Sequence, residues 1–252
     1  MNPLLPFLMA GDPSLEALPG LLAEARSLGL EALEVGLPHS DPIADGPILQ
    51  AAAHRAIARG ATPLRVLESL QGLDESPDLI LFTYLNPLLQ LGADRLQRLL
   101  APTPVRALLV VDLPFGEEPD FERGLREAGH PVVPLLAPTT TLERSRLLLS
   151  QRPDPGAGAG FAGRFAYLVA RLGVTGVGLG APSEDGWRTR LAALQGLTAR
   201  PLAVGFGLSE PRALRAIREA GATPVVGSAL VQELAAGMPL REALEPRLVA
   251  EA

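Results

Sequence analysis

Eight short apolar runs, each followed by an amphipathic stretch, predict an α/β fold and within it a single (β/α)8 TIM barrel. Three observations carry that expectation. The alternation runs the length of the chain, most of the runs are continuously apolar, and 252 residues is a length that such a barrel fills as one domain. Continuous runs bury both faces of a strand, as in a parallel sheet covered by helices. A doubly wound parallel sheet is the structural alternative, and periodicity alone does not exclude it. The absence of a glycine fingerprint after the first strand argues against the dinucleotide-binding version. No linker is long enough to separate two parts, so residues 1–252 are expected to form one domain.

In chain order the expected strands are Pro6–Ala10, Ala32–Gly36, Leu79–Thr83, Ala107–Asp112, Val132–Ala137, Phe165–Val169, Leu202–Gly205 and Pro224–Gly227. The first helix is expected over Ser14–Leu28. Its leucines recur near a 3.6 period, Ser14 stands ready to cap its start, and Gly29 follows its end. Similar patterns cover Pro47–Arg59, Pro63–Leu73, Asp94–Leu100, Glu117–Ala128, Leu142–Ser150, Gly186–Leu197, Glu210–Ala220 and Pro239–Leu248. The stretch Arg152–Gly163, rich in Gly and Ala, is expected as a surface loop before the sixth strand.

Composition excludes much chemistry. All 22 basic side chains are arginine, so neither a Schiff-base lysine nor a Walker A loop exists here. Cysteine is absent, which removes thiolate nucleophiles, disulfides and iron–sulfur clusters. The three histidines, His39, His54 and His130, form no pair with zinc-ligand spacing, so no metal site is expected. A net charge of −6 gives no basic footprint for nucleic acid. No membrane span and no signal peptide are seen, so a cytoplasmic protein is the default.

In this fold the chemistry sits at the C-terminal ends of the strands and in the loops after them. Glu34 lies inside the second strand between Leu33 and Val35. A carboxylate buried there must be paired or must raise its pKa. The loop that follows, Leu37–Pro47, is long and carries Asp41 and Asp45, both also compatible with turns. Tyr84 and Asn86 follow the third strand in a loop, Asp112 ends the fourth, and Tyr167 lies in the sixth, ahead of Thr175 and Gly176. The seventh strand runs into GFGLS (Gly205–Ser209) and the eighth into GSAL (Gly227–Leu230), where Ser228 opens a short helix. Glycines beside a helix N-terminus make an anion site, and loops seven and eight form the usual phosphate site of this fold.

Eight segments in this order resemble the tryptophan synthase alpha subunit. They are PFLMAGDP (Pro6–Pro13), EVGLPHSDPIADGPILQAA (Glu34–Ala52), YLNP (Tyr84–Pro87), VVDLP (Val110–Pro114), APTT (Ala137–Thr140), YLVARLGVTG (Tyr167–Gly176), AVGFGLS (Ala203–Ser209) and VVGSALV (Val225–Val231). The resemblance implies a lyase that cleaves indole-3-glycerol phosphate to indole and glyceraldehyde 3-phosphate. It implies an α2β2 assembly in which indole passes to a beta subunit. That partner would hold pyridoxal phosphate, with no cofactor in this chain. By position, Glu34 resembles the general acid/base that protonates indole C3. Asp45 resembles the carboxylate that stabilises positive charge near the indole nitrogen. Phe7, Phe82, Tyr84, Tyr167 and Phe206 would line the substrate pocket. Thr175 would contact the catalytic aspartate from a closing sixth loop, and Gly176, Gly207, Gly227 and Ser228 would hold the phosphate. Asp41, Pro42 and Asp112 would face the beta subunit.

Three departures from the family stand out. His39 occupies a position where Phe or Tyr is usual. Ala170 and Leu172 flank Arg171 where Ser and a small residue are common. Only six residues precede Phe7, where the family has a further helix under the barrel, so apolar side chains are expected to be exposed at that end. A related indole or phosphoribosyl barrel enzyme and a non-catalytic alpha subunit remain as alternatives. The Glu34…Asp45 pair weighs against both.

Overall fold

The structure, a computed structural model, describes residues 4–150, 160–170, 184–205 and 210–248, with helix side chains from Gly186 onward in the third of these stretches. Among the described residues eight strands are present: β1 Leu5–Met9, β2 Ala32–Gly36, β3 Asp78–Thr83, β4 Val105–Val110, β5 Leu135–Leu136, β6 Ala166–Val169, β7 Leu202–Gly205 and β8 Thr223–Val226. They form one parallel sheet in the order β4-β3-β2-β1-β8-β7-β6-β5. An isolated parallel bridge between Leu108 and Val132 brings the two edges together. There the Leu108 N–H donates to the Pro131 carbonyl at 3.0 Å, and the Val133 N–H donates to the Leu108 carbonyl at 2.8 Å. A nearly closed barrel results, and the doubly wound alternative falls.

The fifth strand is shorter than the sequence suggests, and the reason is Pro134. It has no N–H to give a neighbouring strand, so the β5–β6 ladder begins only with its carbonyl, which accepts from Tyr167 N at 2.9 Å. The other strands begin and end within two residues of expectation. Their side chains are almost all buried on both faces, as continuous apolar runs require.

Among the described residues the helices are α1 Leu18–Ser27, α2 Pro47–Ala58, α3 Pro63–Ser69, α4 Leu85–Leu91, α5 Ala93–Leu100, α6 Pro119–Glu127, α7 Leu142–Leu149, α8 Glu184–Gln195, α9 Pro211–Glu219, α10 Ser228–Ala235 and α11 Leu240–Leu248. Helix α4 corrects the expectation of a loop at Tyr84–Pro87. Pro87 reads as a breaker, but it falls in the first turn, where its missing N–H would have had no partner anyway. Helix α1 starts later than expected. Ser14 does not cap it; its hydroxyl accepts from Ala17 N at 3.2 Å and closes a turn ahead of the helix. Thr62 and Thr141 do cap α3 and α7, accepting from the backbone three residues on.

The barrel interior and the inner faces of α1–α5, α10 and α11 make one continuous apolar core. A second cluster lies outside β6 and β7, under α7–α9, around Trp187, Leu191 and Ile217. On α2 the buried face is Leu49, Ala52, Ala53 and Ala56; alanines there let the helix sit close to β1. The loop after β1 is tied to α2 by Asp12, whose carboxylate accepts from Arg55 at 3.1 and 2.6 Å and from Arg59 at 3.1 Å. The expected exposure of apolar side chains at the N-terminal ends of the strands is not found at Leu4, Leu5, Leu30 or Ala32, all of which are buried.

Candidate active site

Strand β2 carries Glu34 into the barrel, paired in register with Phe7 on β1 and Ile80 on β3. It is 1% exposed, and its Oε1 has no hydrogen-bond partner. Burial pushes its pKa up from 4.5 to about 8, so the carboxyl is largely protonated at neutral pH. Tyr167 on β6 lies near enough that the Glu34 charge, added to burial, raises the phenol well above its ordinary value. A protonated carboxyl in an apolar chamber is a proton donor held ready.

The space around it is shaped by aromatic rings and by glycines that let them in. Phe7 and Phe82 meet edge to face with centroids 5.3 Å apart. A Cβ at Gly36 would fall 2.4 Å from Phe7 Cζ, and one at Gly205 would fall 1.9 Å from the Tyr167 oxygen. Both positions must therefore lack a side chain for those rings to lie where they do. Gly227 differs. Among the described residues a Cβ there would meet only Phe7, at an ordinary 3.7 Å. None of them demands a glycine at that point by contact, whereas a ligand approaching the backbone would.

Asp45 arrives from the loop between β2 and α2. That loop is fixed at its start by Leu37 N donating to the Phe82 carbonyl at 2.8 Å. At its end Gln50 Nε2 donates to the Asp45 carbonyl, also at 2.8 Å. Asp45 is 2% exposed with Oδ1 unpartnered. Burial raises its pKa from 3.8 to about 7, and hydrogen bonding from the Tyr84 hydroxyl pulls against that rise. The same hydroxyl accepts from Ala44 N at 3.0 Å. Tyr84 thus does more than wall a pocket; it holds the loop that carries Asp45. Its own pKa is raised by burial and by Asp45.

Gly227 and Ser228 lie at the end of β8, where Gly227 is the N-cap of α10 and makes no side-chain cap. The first N–H groups of α10 are therefore offered outward, with the helix dipole behind them. Asp41 is exposed at the rim, as is Asp112, which follows β4 and accepts from Leu85 N at 2.7 Å at the start of α4. Pro42 is buried, and the apolar side chain offered outward is its neighbour Ile43, 66% exposed. Sequence reasoning passed over Ile43; its signal was an isoleucine between two turn-forming aspartates. Asn86 is in α4, not a loop, and borders an open groove of about 440 Å³ with His39, Ile57, Pro63, Pro87 and Leu91. Thr175, Gly176, Phe206 and Gly207 lie outside the described residues, as do Arg171 and Leu172. Among the described residues no cluster of metal-ligating side chains occurs, and no helix is long and apolar enough to cross a membrane.

Two buried carboxyl groups of unlike setting therefore belong to β2 and to the loop after it, and the start of α10, without a side-chain cap, follows β8 beside Phe7. Known proteins share this plan. The profile of the tryptophan synthase alpha chain family matches residues 1–250. A tryptophan synthase alpha chain from Prochlorococcus marinus is 42% identical over 240 residues, which are 94% of this chain and 82% of that one. A Pyrococcus furiosus structure described as that of the tryptophan synthase α2β2 complex superposes with a TM-score of 0.79 at 32% identity, covering 98% of this chain and 94% of that one. A Mycobacterium tuberculosis tryptophan synthase structure gives 0.82 at 28% identity, with 98% and 90% covered.

Proposed function

We propose a function from one premise: the chain belongs to the tryptophan synthase alpha chain family. Its reaction is the retro-aldol cleavage of indole-3-glycerol phosphate to indole and glyceraldehyde 3-phosphate. The observation that supports this most strongly is Glu34, a carboxyl with an unpartnered oxygen, held in its acid form at neutral pH inside the barrel.

In this reading Glu34 delivers its proton to indole C3. The carboxylate left on Glu34 takes the proton of the hydroxyl on the neighbouring glycerol carbon, the O–H electron pair becomes the C=O bond of the aldehyde, and the pair of the breaking C–C bond returns to the indole ring and neutralises its nitrogen. Glu34 ends as it began. Protonation at C3 puts positive charge on the indole nitrogen, and the Asp45 carboxylate answers that charge. The two groups must differ in protonation state; burial alone acts on Glu34, while a hydrogen bond from Tyr84 opposes the rise at Asp45. Phe7, Phe82 and Tyr167, with Tyr84 and Phe206, enclose the indole. Backbone N–H groups at Gly227 and Ser228, joined by Gly176 and Gly207, take the phosphate, and Thr175 closes on Asp45.

The chain works as one barrel domain in an α2β2 assembly in the cytoplasm. Asp41 and Asp112, with the exposed Ile43 in place of the buried Pro42, face a beta subunit that carries pyridoxal phosphate; this chain needs neither cofactor nor metal. The deciding experiment is indole release from indole-3-glycerol phosphate, alone and with a cognate beta subunit. Release that rises on adding the partner is expected. No release in either condition overturns the reading.

A further inference from the structure

The Tyr84 hydroxyl stands at the hinge of the Asp45 loop, taking a hydrogen bond from Ala44 N at 3.0 Å and serving the Asp45 carboxylate. What holds Tyr84 itself is less obvious. Its ring is buried, and on the rim side it meets His39, centroid to centroid at 5.0 Å with the planes tilted by 35°. Among the described residues this ring contact is the only interaction of His39 found, with no hydrogen bond or ion pair. A histidine that neither donates nor accepts, pressed against a tyrosine, acts there as a flat ring.

We propose that His39 is a positioning residue for the cleavage reaction, its ring bracing Tyr84 in the pose that lets the Tyr84 hydroxyl hold the Ala44–Asp45 segment. This rests on the reading of Asp45 as a reacting group. The chain of contact is short: His39 to Tyr84 through the rings, and Tyr84 to Asp45 through the hydroxyl. His39 comes from the start of the loop after β2 and Asp45 from its end, so one tyrosine from the neighbouring strand locks both ends of the same loop. His39 also borders the open groove beside α3 and α4. The ionisable groups around the pair are Asp45, on the Tyr84 hydroxyl, and Asp112, whose charge also reaches that phenol.

The test reads Asp45 directly, by carboxyl carbon NMR titration of the free protein, beside the pH dependence of kcat/KM for indole-3-glycerol phosphate. Tyr84→Phe removes a hydrogen bond to the charged form, so the Asp45 midpoint should rise by about 1 pH unit. His39→Ala should raise it in the same direction by about half as much or more, since a loosened ring delivers the hydroxyl poorly. The double variant should move no further than Tyr84→Phe alone, and His39→Phe should restore the parent value. If His39→Ala fails to fold, His39→Leu keeps bulk without a flat ring and should show the same rise. A midpoint unmoved by the loss of the ring, while Tyr84→Phe moves it, overturns the proposal. So does a His39→Phe variant that shifts as far as His39→Ala. Because the titration needs no turnover, loss of the positioning role is distinguished from failure of the proposed activity, which would show as absent indole release in the parent protein.

Discussion

The two halves of the barrel are built for different work. Strands β1–β4 run five or six residues each and pair in long ladders, five residue pairs between β2 and β3. Both carboxyls with an unpartnered oxygen, Glu34 and Asp45, belong to this half. Strands β5–β8 run two to four residues, and this half offers glycines and the free start of α10. Side-chain chemistry needs a scaffold that continues past the reacting group on both sides, because a proton donor misplaced by 1 Å loses much of its effect. Backbone chemistry needs strands that stop, because only then are N–H groups released toward a ligand. One half should therefore be sensitive to changes that keep shape and alter chemistry. The other should be sensitive to changes that add bulk.

The largest effect is expected on the first side. Glu34→Gln keeps the shape and removes the proton, so indole release should fall by about 10²–10⁴-fold with the fold intact. Retention of more than about a tenth of parent turnover would deny Glu34 the role. The sharpest probe of packing lies at the strand-end glycines, one in each half. Gly36→Ala drives a methyl into Phe7 and Gly205→Ala drives one into Tyr167. Each should lower stability by about 1–3 kcal/mol in thermal or urea unfolding, with a raised KM. Tyr167→Phe should relieve much of the Gly205→Ala penalty, since the closest collision is with the hydroxyl oxygen. Equal destabilisation with and without that oxygen would place the strain elsewhere.

A smaller and more selective effect is expected at α10. Gly227→Val should raise KM for indole-3-glycerol phosphate by about tenfold with little change in melting temperature, since among the described residues the Cβ meets only Phe7, at an ordinary distance. Ser228→Ala should leave KM within about twofold, because the backbone donor survives. If Ser228→Ala proved the more damaging, the hydroxyl would carry recognition and the contrast between the halves would break.

The gentlest test concerns pH and stability. Glu34 has its pKa raised from 4.5 to about 8, and Asp45 from 3.8 to about 7. The folded state then binds more protons than the unfolded state, so stability is greatest below the unfolded values and declines as pH rises through the folded ones. Unfolding free energy should fall between about pH 4 and pH 8, and Glu34→Gln should remove part of that slope, gaining on the parent most at the alkaline end. A slope unchanged by Glu34→Gln would mean that the group is not buried as a neutral acid.

Much of this was legible in the residues. Alternating apolar and amphipathic segments indicated a parallel sheet covered by helices, because strands buried on both faces must be apolar throughout and the helices that cover them apolar on one side; whether that sheet closes was not in the pattern. An acidic residue inside such a run marked Glu34, since burial of a carboxyl is costly enough to need a reason. Caps were less legible: Ser14, expected to cap the first helix, closes a turn ahead of it, while Thr62 and Thr141, which the reading passed over, cap α3 and α7. Tertiary structure decided the rest. It shortened β5 at Pro134, because whether a missing N–H matters depends on which neighbour it would have faced. It made Leu85–Leu91 a helix, because a proline's effect depends on the turn it occupies. It closed the barrel through a single bridge at Val132, joined Tyr84 to Asp45 across 39 positions of chain, and set His39 against Tyr84. Those are contacts between residues distant in sequence, and a pattern read along one chain records what each residue prefers, not which partner it meets.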